Sequence, residues 1–145
     1  MKKLLVLVAM VLALAFSTTA LAANNGAVLN AQEKVTEKVI TALTTSDGAL
    51  SSFETSLAPD FKKSLTADNY TKLKKDMSDK LGTLKSCNLV ELLKAPGAER
   101  LVYRAEFSKE KAVNLVFFFN KEEKPLLLNF QALIVPPAPA KEEAK

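Results

Sequence analysis

The 145 residues contain no histidine, no tryptophan and a single cysteine, Cys87. What the sequence offers for carboxylate–tyrosine acid–base chemistry or thiol chemistry is its carboxylates, two tyrosines and one thiol. Without imidazole there is no Ser-His-Asp or Cys-His nucleophile system and no imidazole-ligated zinc site. Asp60, Asp68, Asp76, Asp79, Glu91 and Glu106 fall on predicted helix exteriors, turns or the polar face of a strand, where water keeps a carboxylate ordinary. Tyr103 and Glu106 stand three apart and cannot share one face of a strand, whose side chains alternate. Cys87 has no partner for an intramolecular disulfide, so stability must come from packing. Its plainer role is that of a small buried hydrophobe; exposed, it would be open to an intermolecular disulfide. An enzyme is not expected, and neither a metal nor any other cofactor.

The elements that would position these groups follow from hydrophobic period. Val35, Val39, Ile40 and Leu43 line one helical face from Ala31 onward, with Glu33, Lys34, Glu37 and Lys38 on the other. Gly48 is expected to end this helix in a left-handed conformation. A short second helix is predicted over 49–57 and a further turn or helical piece at 60–65. Thr66 is a plausible N-cap for a third helix with Tyr70, Leu73, Met77 and Leu81 on its buried stripe and Gly82 at its end. After Gly82 the period becomes two. Strands are expected at 84–93, whose apolar tail of Leu89, Val90, Leu92 and Leu93 also fits a helical turn, and at 100–108, 112–120 and 126–135. In the last, Leu126, Leu128, Phe130, Ala132 and Ile134 share one face, and Leu127, Asn129, Gln131 and Leu133 the other. Helices followed by a four-stranded antiparallel meander make an α+β domain, its N-terminal helices packed on one face of a curved sheet.

Residues 1–22 read as a signal peptide. Lys2 and Lys3 precede thirteen apolar residues, Leu4 to Phe16, and Ala20 and Ala22 supply small side chains for cleavage after Ala22. At ~1.5 Å per residue that run spans only ~20 Å, short of a ~30 Å hydrocarbon core. Cleavage rather than a retained anchor is expected, which places the product in a bacterial periplasm or outside the cell. Loss of Lys2 and Lys3 takes the net charge from +4 to +2, and no argument for a nucleic-acid partner survives that. Residues 23–30 are expected to be a flexible lead-in, 31–135 the domain, and 136–145, rich in Pro, Ala and charge, a disordered tail.

Phe53 to Gly82, then Leu84-Lys85-Ser86, the strand VYRAEF, a strand ending FFFN, and a last strand LLLNFQAL after Lys124 together resemble the small NTF2-like or cystatin-like domains of exported bacterial proteins, a group of unknown function. The resemblance covers about 31–135 and implies a cone of sheet wrapped on helices. It departs from the pattern at Pro125 to Leu128, which replace an expected glycine and leave the register of the last strand open. That broad fold hosts enzymes, binding proteins and scaffolds alike, so it implies architecture rather than activity. A cystatin-type protease inhibitor is disfavoured, since no Gln-x-Val-x-Gly loop is present.

Two surfaces could bind. A pocket at the end of the cone would be lined by Tyr70, Met77, Tyr103, Phe107, Phe117 and Phe119 and would take a small apolar ligand; the plainer reading is that these residues fill the core. The sheet face turned away from the helices would expose Val116, Phe118, Leu127 and Leu133, a patch suited to a homodimer or a protein partner. The lysines at 62, 63, 72, 74, 75, 80 and 85 could meet anionic lipid or polysaccharide, but Asp68, Asp76 and Asp79 are interleaved and a solvated face is the simpler account. Asn69-Tyr70-Thr71 fits a glycosylation pattern but is discounted, because the leader looks bacterial and Tyr70 inward-facing. The expectation is thus an exported, non-catalytic binding domain; the alternatives are a homodimeric scaffold without ligand and, behind it, a small isomerase- or dehydratase-like enzyme.

Overall fold

The computed structural model describes residues 25–122 and 124–136; the expected signal peptide and all of the expected tail but Pro136 lie outside them. Helix α1, Asn25–Thr44, begins inside the segment expected to be a flexible lead-in, so residues 25–30 are helical. Its buried stripe is Gln32, Val35, Thr36, Val39, Ala42 and Leu43, which is the apolar face read from sequence with two polar residues added at its N-terminal end.

The helix ends against side chains from elsewhere in the chain. Tyr70 Oη donates to the carbonyls of Ala42 (2.8 Å) and Gly48 (3.1 Å), and Lys74 Nζ donates to those of Ser46 (3.2 Å) and Gly48 (2.7 Å). A lysine there satisfies carbonyls of the turn that follows the helix and lies near the negative end of the helix dipole. Gly48 is not left-handed, contrary to the sequence expectation; the positive-φ glycines are Gly82 and Gly97. Its lack of a side chain serves close approach instead, since a Cβ there would collide with the Ala42 backbone.

The helix expected over 49–57 is replaced by two 3-10 turns, Leu50–Ser52 and Glu54–Ser56. So short a segment cannot offset the entropy of helix nucleation, and Ser52 Oγ turns back onto the Ala49 carbonyl at 2.7 Å. Phe53 and Leu57 anchor the stretch in the core. Helix α2, Pro59–Ser64, starts on a proline suited to a first turn and buries Phe61. Helix α3, Ala67–Leu81, is capped as expected: Thr66 Oγ1 accepts from the Asn69 amide at 3.2 Å, Tyr70, Leu73, Met77 and Leu81 are buried, and Gly82 closes it with φ +82°. Each large apolar member of that stripe contributes roughly 1.5–3 kcal/mol by leaving water.

Four strands follow: β1 Leu84–Ala95, β2 Ala98–Phe107, β3 Val113–Phe119 and β4 Leu127–Ile134, in the order β1-β2-β3-β4, each antiparallel to the next. The sheet is curved and unclosed. The three helices lie on one face, where Leu101, Ala105, Phe107, Val113, Leu115, Phe117 and Phe119 join the helical stripes in a single core. One strand departs from simple alternation. Phe118 pairs with Asn129 but Phe119 with Leu127, so Leu128 is the extra residue of a bulge. The bulge reverses the face of everything before it, and Leu127, expected on the outer face, is instead wholly buried in the core. Its strand end is held by the Ala58 amide, which donates to the Leu127 carbonyl at 2.9 Å.

Candidate functional site

Five of the six residues expected to line a cone pocket fill the interior. Phe107, Phe117 and Phe119 are 0–2 % exposed, Met77 2 % and Tyr70 6 %, and the void beside them, bounded by residues such as Val39, Phe53, Leu73 and Phe130, measures only about 10 Å³. That space is apolar and barely admits one water. Tyr70 is structural, its hydroxyl spent on the end of α1.

Tyr103 is the exception. It is half-buried and stands on the helix-facing side of β2, diagonal to Cys87 on β1. Together with Glu33, Thr36, Glu37, Ile40 and Thr41 of α1, these two strand residues enclose an open pocket of about 320 Å³. The sequence placed Tyr103 correctly on the inward face but not the α1 residues opposite it. Their signal was present: Gln32 and Thr36 stand one helical turn apart, as do Glu33 and Glu37. The amphipathic pattern put Glu33 and Glu37 wholly in water, whereas they border the pocket.

Two polar contacts seat α1 on β2. Gln32 Nε2 donates to Glu99 Oε2 at 2.6 Å, and Glu99 Oε1 lies 3.6 Å from Lys94 Nζ. Beside it the Tyr103 and Thr36 hydroxyls are 2.8 Å apart, and Thr36 Oγ1 donates to the Glu33 carbonyl at 2.8 Å. Among the described residues the buried Gln32 Oε1 atom has no hydrogen-bond partner, a cost of roughly 1–3 kcal/mol that the surrounding packing must offset. Phe117 meets the Tyr103 ring edge-on, centroids 5.6 Å apart, which fixes the ring from the core side.

The electrostatics keep the pocket floor uncharged. Burial pushes the Tyr103 phenol up; the Thr36 hydrogen bond opposes this, while Glu33, Cys87 and Glu37 add to it. Burial likewise pushes the Cys87 thiol up, which works against thiolate chemistry, since the thiolate is the reactive form. Among the described residues no group of three or more His, Cys, Asp or Glu is arranged to hold a metal ion.

The outer sheet face differs from the expected patch. Leu127 has left it, Val116 is 6 % exposed, and Phe118 and Leu133 are half-buried. Arg100 and Arg104 share this face, reaching Glu91 at 3.3 Å and Asn114 at 2.8 Å. Among the described residues Val90, at a bulge in β1, is the large apolar side chain that is openly exposed, 57 %. Several lysines of the helical region make local pairs: Lys62 with Glu54 at 3.1 Å, Lys63 with Asp60 at 3.9 Å and Lys75 with Asp79 at 2.6 Å. A second open cleft, about 540 Å³, runs between α1 and the 45–52 segment and carries both signs of charge, Lys34 and Lys38 with Glu37 and Asp47. Among the described residues no helix is long and apolar enough to cross a membrane. Comparison with known proteins gave no match among family models, curated sequences or solved structures.

Proposed function

We propose that this chain is an exported, non-catalytic binding domain of NTF2-like or cystatin-like kinship, and that its ligand sits in the pocket against Tyr103. The observation that carries the reading is the contrast between a filled interior and this single half-buried aromatic of the expected set, which faces about 320 Å³ of open space. The position of Tyr103 is held by Thr36 and Phe117, so the site exists before a ligand arrives, and preorganisation of that kind favours binding. Export rests on the leader-like residues 1–22. The interior of the cone is no longer the proposed ligand site, since its candidates are core.

Native mass spectrometry of the protein isolated from its own compartment tests both parts. The expected result is a chain beginning at Ala23 that carries a small non-protein mass, lost in Tyr103→Ala. A full-length chain would refute export, and a bare monomer would refute the ligand. The alternative, a homodimeric scaffold through the outer sheet face, keeps Phe118 and Leu133, leaves Val116 almost wholly buried and gives up Leu127; partial exposure of Phe118 and Leu133 is what favours it.

A further inference from the structure

The Tyr103 pocket is short of donors. Thr36 Oγ1 gives its proton to the Glu33 carbonyl, a group that can only accept. In the 2.8 Å contact between Thr36 and Tyr103, the phenol must therefore be the donor. Both hydroxyl protons are committed, and what the phenol has left is acceptor capacity. Around it stand the Glu33 and Glu37 carboxylates, one helical turn apart on α1. Among the described residues neither carboxylate is in an ion pair or a side-chain hydrogen bond. Like charges at that spacing repel, and the lining of this pocket holds no lysine or arginine, Lys34 and Lys38 standing with Glu37 in the neighbouring cleft. Of the lining side chains, the Thr41 hydroxyl and the weakly donating Cys87 thiol are left with a proton to give.

An anion would meet two carboxylates here, and a neutral alcohol would leave them unrelieved. A quaternary ammonium offers no N–H and is best held by several rings, whereas one ring lines this pocket. A primary ammonium supplies three donors and the missing charge, and Ile40 with Cys87 provides apolar surface for a short carbon arm.

We propose that the Tyr103 pocket binds a primary alkylammonium ion, its charged end held by the acceptors of α1 and β2 and its arm laid against Ile40 and Cys87. This rests on the pocket being the ligand site proposed above. The test is a proton–nitrogen NMR titration of the processed chain, at constant ionic strength, with n-butylammonium chloride and with the uncharged isostere 1-butanol. The expected result is saturable movement of the amide signals of residues 33–41, Cys87 and Tyr103, with about tenfold tighter binding of the cation. In the double variant Glu33→Gln, Glu37→Gln the cation should fall to the level of 1-butanol while 1-butanol is unchanged. Equal affinity for the two probes in the unaltered protein would overturn the charge inference and leave the pocket standing. Movement that never saturates, or none at these residues, would overturn both.

Discussion

At the scale of single residues, hydroxyls and one thiol do the distinctive work. Tyr70→Phe removes the phenol from two carbonyls at the end of α1. It should lower stability by about 1–3 kcal/mol in urea unfolding, because the Ala42 carbonyl is left buried and unpaired. Tyr103→Phe removes a donor from Thr36, which still gives its own proton to Glu33; a smaller loss, about 0.5–1.5 kcal/mol, is expected. Burial raises Cys87, Tyr70 and Tyr103 alike. Each neutral group thus contributes stability that is fully present below its unfolded pKa and lost as pH climbs through the folded one. Urea midpoints should be level to about pH 8.5 and then fall, with Cys87→Ala removing the earliest part of the decline. A midpoint that rises above pH 8.5 would contradict the burial of these groups.

At the scale of elements, the bulge in β4 and the approach of the 45–52 segment to α1 make the sharpest claims. Leu127 is fully buried while Leu128, the extra residue, is half-buried. Leu127→Ala should cost about 2–5 kcal/mol and Leu128→Ala much less; the reverse ranking would mean that β4 alternates without a bulge. Gly48→Ala should be far more damaging than Gly97→Ala, because the first forces a Cβ into the α1 backbone whereas the second meets open space and carries only the strain of positive φ, about 1 kcal/mol. Comparing the two melting temperatures separates close approach from conformational strain. The helices illustrate what periodicity can reveal. The α3 stripe and both its caps were legible because Thr66, Tyr70, Leu73, Met77, Leu81 and Gly82 act within one element. The stretch 49–57 was misread because its apolar spacing is helical but its length and serines are not.

At the scale of the whole molecule, three helices close one face of a meander and leave the other to carry Arg100, Arg104 and half-buried Phe118 and Leu133. If that face joins two copies, Phe118→Glu should turn a dimer into a monomer in sedimentation velocity while Tyr103→Ala leaves the mass unchanged. A protein that is monomeric without any substitution rules the dimer out. The two binding readings are thus separable, since their residues lie on opposite faces of one sheet.

The amino-acid sequence by itself determined the helices-then-meander order, the strand limits to within one residue at all but two strand ends, and the inward face of β2 and β3. These follow from alternation and capping, which are local. Only the tertiary structure decided that the space between helices and sheet is full, that Leu127 is core, and that the pocket lies between α1 and the β1–β2 hairpin. Each of those depends on how far apart two elements settle and on one extra residue in a ladder. Gln32 meets Glu99, and Thr36 meets Tyr103, across 67 positions of chain; a pattern confined to neighbours carries no record of such a meeting, because packing between elements chooses it.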